Sequence, residues 1–110
     1  GGLNGLITGT SGFGSGEADE TPPRWLRGRI RDSDLPDWAL QEGIGGRVGV
    51  RYVVRTDGRV TDCEITRSSG SRALDAHTCR LIEQRFRYRP SLDAAGRPVV
   101  SAIVEDHEWV

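Results

Sequence analysis

Hydrophobic and polar positions alternate most strictly over residues 47–55, RVGVRYVVR. This puts Val48, Val50, Tyr52 and Val54 on one face and predicts a strand buried on one side. Thr56-Asp57-Gly58-Arg59 follows, an Asp-Gly hairpin signal between two apolar runs. The returning strand is expected over residues 60–67. Its apolar marks Val60, Cys63 and Ile65 are spaced three and then two apart, which breaks the alternation and predicts a bulge. From Ser71 the period becomes helical. Leu74, Thr78 and Leu81 form one stripe, with Asp75, Cys79, Ile82 and Phe86 beside it, so a helix is expected to about residue 86 or 87 with Ser71 as N-cap. Pro90 closes that pattern, SLDAAGRP reads as turn, and the last run, VVSAIVEDHEWV, reads as a strand with no successor.

The pattern is weaker before the hairpin. Trp25, Arg27 and Arg29 alternate against Leu26, Gly28 and Ile30, which fits a short extended segment. DSDLPDWALQEG predicts a short helix over residues 35–42, with Asp34 as N-cap, Pro36 in the first turn and Gly43 as a left-handed cap. The fold class is α+β. The economical packing of these elements is one helix on a three-stranded antiparallel sheet, in the order strand, strand, helix, strand, after a short first helix.

Composition sets the boundaries. The first 16 residues hold seven glycines and no charge, too little apolar surface to offset ordering. Residues 17–24 continue the linker, stiffened by Pro22 and Pro23, so residues 1–24 are expected as linker and residues 25–110 as one domain. The glycine-rich opening and missing initiator Met are expected of a segment cut from a longer chain. No run approaches the roughly 18–20 apolar residues of a membrane helix.

Charge argues against duplex binding. The chain carries 15 arginines, no lysine and 16 acids, a net charge of −1, whereas nucleic-acid binders carry a positive excess. RWLRGRIR and RFRYR are locally basic, but Asp32, Asp34, Asp37 and Glu83 stand nearby, so solvated mixed faces are expected.

Candidate chemistry is sparse. His77 and Cys79 are two apart on a helix and diverge by about 200°, so they cannot share a metal with Cys63 and His107. Asp106, His107 and Glu108 face alternate sides of a strand. No catalytic constellation and no cofactor are expected. Cys63 and Cys79 point into the same helix–sheet interface, either as a disulfide, which implies an oxidising compartment, or as two buried thiols.

The run from Gly46 to Ile65 with its Asp-Gly turn, then Ser68-Ser69-Gly70-Ser71-Arg72-Ala73-Leu74-Asp75, then Arg85-Phe86-Arg87-Tyr88-Arg89-Pro90, then Gly96-Arg97-Pro98-Val99-Val100 resembles the C-terminal domain of TonB-family energy transducers. The resemblance covers residues 25–110. It implies a non-enzymatic periplasmic domain, tethered to the cell inner membrane and driven by an ExbB–ExbD-type motor. Its partners would be outer-membrane receptors for iron chelates or cobalamin. Their TonB-box peptide would add as a strand to the last strand, along Val99, Val100, Ser101, Ala102, Ile103, Val104, Glu105 and Asp106. Side chains such as Ser101, Ile103 and Glu105 would tune partner choice. Capping of that edge by the linker or by a second copy in a homodimer is the alternative occupancy. A TolA-like envelope domain, with other periplasmic partners, is the neighbouring reading. Receptor contact would extend to Asp32, Asp34, Leu35 and Pro36, where the family's Gln-Pro-x-Tyr-Pro segment retains only its final proline. The family's usual helix-end Trp is Phe86 here, and Cys63 and Cys79 replace aliphatic residues.

Overall fold

The computed structural model describes residues 20–109; most of the expected linker therefore lies outside the described residues. Among the described residues the elements follow in the order β1 (Arg24–Arg27), α1 (Asp37–Gln41), β2 (Gly46–Val54), β3 (Val60–Arg67), α2 (Arg72–Arg85), β4 (Arg87–Arg89), β5 (Ser91–Leu92), β6 (Pro98–Val99) and β7 (Ser101–Trp109). A single 3-10 turn, Asp32–Asp34, precedes α1. The main sheet is antiparallel with order β3-β2-β7, and α2 packs on it, as the alternation and the helical stripe predict.

The core forms where the two periodicities meet. Val48, Val50, Tyr52 and Val54 of β2 are each fully buried, against Leu74, Leu81, Ile82 and Phe86 from the helix and its end. Burying each such side chain contributes about 1.5–3 kcal/mol. The predicted bulge is present. The register of β3 on β2 slips between Arg51 and Val53, and Asp62 takes φ 55° to accommodate the extra residue. Ser71 caps α2, its hydroxyl accepting from the Leu74 N–H at 3.2 Å. The Ser-x-Gly turn before it is held from inside the helix. Asp75 is buried and accepts from the Ser69 N–H at 2.9 Å and from the Ser68 and Ser69 hydroxyls.

Local differences from the sequence reading have physical causes. The first helix is shorter than residues 35–42, and Asp34 does not cap it. Pro36 is the N-cap, while the Asp34 carboxylate turns away to the Arg31 N–H and to Arg85. Gly43 does cap it, at φ 68°, with the Ile44 N–H on the Ala39 carbonyl. The segment after α2 is not plain turn. Arg87–Arg89 pairs with Arg24–Arg27, and Ser91–Leu92 pairs with Pro98–Val99. The closing strand is consequently split. Val99 pairs with Ser91 in the small hairpin, and the main-sheet strand starts at Ser101. Upstream, Thr21 bridges Leu92 and Pro23 is buried.

Gly58 serves two purposes. It sits at φ 85° in the hairpin turn, and its carbonyl accepts from the Tyr88 N–H at 3.0 Å, so a Cβ there would overlap the Tyr88 carbonyl. Gly58→Ala is expected to cost about 2 kcal/mol or more, read from the urea midpoint. Cys63 and Cys79 are bridged, with Cα atoms 5.5 Å apart. Because the bridge spans a sequence separation of 16, reduction with dithiothreitol should lower the unfolding free energy by roughly 3 kcal/mol.

Candidate functional site

β7 is an edge. Its nine residues pair in unbroken register with β2, from Ser101 opposite Val54 to Trp109 opposite Gly46, and no described strand pairs with the other flank. The opposite edge of the sheet, β3, is bulged and partly closed: the Cys63 N–H donates to the Glu83 carboxylate at 2.9 Å, and Cys63 is covalently tied to α2. The two edges are therefore unequal as templates for another strand.

Period-2 alternation sends Ser101, Ile103, Glu105, His107 and Trp109 inward, where all are buried. Trp109 donates its indole N–H to the Thr78 hydroxyl at 3.0 Å, and Thr78 in turn donates to the Leu74 carbonyl. The Trp109 ring stacks on His77 and meets His107 edge-on at 4.6 Å between centroids. His77 in turn bonds the Asp34 carbonyl through Nε2 at 2.8 Å. The Tyr52 hydroxyl donates to Glu105 Oε2 at 2.6 Å and shares a second short bond with the Tyr88 hydroxyl. Burial pushes both tyrosines up, and the neighbouring Glu105 charge adds to this, so both hydroxyls stay protonated. Burial also raises the Glu105 carboxyl, although the Tyr52 bond opposes it.

This geometry corrects one expectation. Ser101, Ile103 and Glu105 are 4%, 0% and 6% exposed, so they hold the strand to the core and cannot select a partner. The outer face carries Val104, Asp106 and Glu108 instead, the last two exposed. The expected receptor-contact residues are likewise divided. Leu35 is in the core, Pro36 is half-buried and Asp32 is exposed. Both Asp34 oxygens bond Arg85, at 2.6 and 2.9 Å, and this pairing helps hold its carboxyl down to about 2. The pair floors a cleft of about 580 Å³ walled by Trp25, Gly28, Arg29 and Arg31. No group of three or more metal-ligating side chains converges among the described residues.

A small α+β domain with a helix-covered antiparallel sheet whose last strand is paired with one neighbouring strand among the described residues is the class these features define. The family described as Gram-negative bacterial TonB protein C-terminal matches residues 32–105, and the chain belongs to that family. The solution NMR structure of the Pseudomonas aeruginosa TonB CTD shares the fold, with a TM-score of 0.59 at 23% identity over 87% of this chain and 90% of that one. Among curated proteins, none matches the chain.

His107 gives the site a pH dependence. It is fully buried, neither ring nitrogen has a hydrogen-bond partner among the described residues, and burial lowers its pKa from 6.5 to about 4. The unfolded chain takes up this proton first. The contribution to stability is therefore complete above pH 6.5 and is lost as pH falls towards 4. Glu105, raised by burial, acts in the opposite sense, so the effect is isolated by comparison with a variant. Relative to His107→Leu, the wild-type chain should lose roughly 2 kcal/mol between about pH 7 and about pH 4.5, measured by urea unfolding across that range.

Proposed function

We propose that this domain captures a short extended peptide of an outer-membrane receptor, the TonB box, by adding it as a strand to the outer flank of β7. Force applied to the domain is then passed to the receptor for uptake of a nutrient such as an iron chelate or cobalamin. The observation that carries the reading is the nine-residue edge strand, paired with β2 along its whole length and without a described partner strand on the other side. An edge of this kind presents a row of main-chain donors and acceptors that a partner strand satisfies.

The mechanism is mechanical. A pull on a strand paired alongside β7 loads several hydrogen bonds together instead of one after another. β7 resists being peeled away because β2 holds one flank and Trp109, His107, Glu105 and Ile103 are packed inward. Partner choice falls to the outward side chains, where Asp106 and Glu108 favour a peptide carrying positive charge nearby. Asp32 extends that acidic character at the receptor-contact segment. The domain works in the periplasm, tethered through an inner-membrane anchor to an ExbB–ExbD-type motor.

Titration of labelled protein with a TonB-box heptapeptide is expected to shift the β7 amides and their β2 neighbours. The same peptide N-methylated at alternate residues should shift none, because its main-chain donors are gone. No shift at millimolar peptide would sink the reading. Shifts that follow protein concentration instead would assign the edge to a second copy of the chain.

A further inference from the structure

The arginines of RWLRGRIR and RFRYR are not balanced by the nearby acids in the way the sequence suggests. Arg85 leaves the group to bind Asp34. In the ribbon formed by β1 and β4, Arg24 lies opposite Arg89 and Arg27 opposite Arg87. Arg59 bridges Arg87 from the far side, so Arg27, Arg87 and Arg59 stand in one row across three chain segments. Residues directly opposite one another share a face, and alternation groups Arg87 with Arg89 on the side away from buried Tyr88. Five arginines thus share one face, four of them exposed and Arg87 half-buried.

Little neutralises them. Asp57 reaches Arg59 at 3.8 Å, and Arg87 donates to the Phe86 carbonyl at 2.7 Å. Arg24, Arg27 and Arg89 are exposed and have no carboxylate partner among the described residues. Like charges placed opposite each other weaken a ribbon. The chain as a whole has a net charge of −1, so this surface is a local segregation of charge, not a reflection of composition. Beside the arginines, Leu26 is 50% exposed, one of the few large apolar side chains left in solvent among the described residues, whereas Trp25, opposite buried Tyr88, lies on the other face of the ribbon.

We infer that the β1–β4 ribbon is a docking surface for an anionic phospholipid membrane. Its arginines bind headgroup phosphates, and Leu26 enters the boundary between headgroups and acyl chains. Charge complementarity calls for an anion. The shape calls for a surface: the array is three segments wide, about 10 Å at the usual strand spacing, and also extends along the strands. An extended acidic peptide offers a single line of carboxylates and cannot match both directions. Arginine beside an exposed large apolar side chain is a composition of protein surfaces that lie in a membrane interface. The inference is independent of peptide capture, which uses a different strand.

Co-sedimentation of the 110-residue chain with vesicles tests it. At about 0.15 M salt, binding is expected to vesicles of phosphatidylcholine with roughly one quarter phosphatidylglycerol, and not to phosphatidylcholine alone. Replacing Arg24, Arg27 and Arg89 by Gln should weaken binding about tenfold or more, and Leu26→Ser several-fold. All four side chains are exposed, and an unchanged melting curve checks that the variants stay folded. Absence of binding to the acidic vesicles, or equal binding by the triple variant, would overturn the proposal. So would equally tight binding to soluble polyglutamate, which would assign the surface to an acidic protein.

Discussion

The pairing of β7 with β2 is the constraint on which the rest of the structure depends. It is continuous over nine residue pairs, and it converts the end of the described chain from a tail into the third strand of the sheet. Without that ladder there is no edge to present, and the inner row Ile103, Glu105, His107 and Trp109 has nothing to pack against. The ladder alone would leave β7 as a strand attached along one side. Its second attachment is the inner face, where Trp109 is held by the Thr78 hydroxyl and by the ring of His77. Among the described strands, β7 is thus held by β2 along one flank, and by the core from below.

Polar groups inside this core specify how β7 sits. Tyr52 is in register with Ile103 yet reaches Glu105 with its hydroxyl, while Tyr88 approaches from the other side. A slip of one residue would turn Glu105 and His107 to solvent and Asp106 inward, losing both the hydrogen bond and the apolar burial. The register of the edge is therefore fixed by its buried polar residues as well as by Ile103 and Trp109. His107 stands apart, because it is buried and its ring has no hydrogen-bond partner among the described residues, which links the stability of the edge strand to acidity.

Charge is distributed with similar separation. The outer face of β7 is acidic, with Asp106 and Glu108, and Glu108 lies 3.7 Å from Arg47 across the pair. The ribbon of β1 and β4 is arginine-rich and nearly without acids. A chain close to neutral overall thus presents two surfaces of opposite character, one suited to a peptide backbone and one to an anionic plane.

The hairpin, its bulge and the cap and inner stripes of α2 were legible in the sequence because each follows from a local period or from one turn residue. Val48 to Val54 alternate, Asp57-Gly58 needs a positive φ, and Ser71 supplies an oxygen three residues before Leu74. The inward position of Cys63 and Cys79 followed from the same periods, since both lie where strand and helix face each other. The sequence could not show which side of the last strand was occupied, because alternation gives two faces and is silent about flanks. Nor could it show that Ser101, Ile103 and Glu105 face inward, because serine and glutamate imitate a solvent face until Tyr52 arrives to bond the carboxylate. The short strands Arg87–Arg89 and Ser91–Leu92 carry too few residues for a period, and exist only because β1 and β6 come back to pair with them. The arginine array has the same origin. Residues distant in the chain, Arg24, Arg59 and Arg89, become neighbours through long-range pairing, which only the tertiary structure decides.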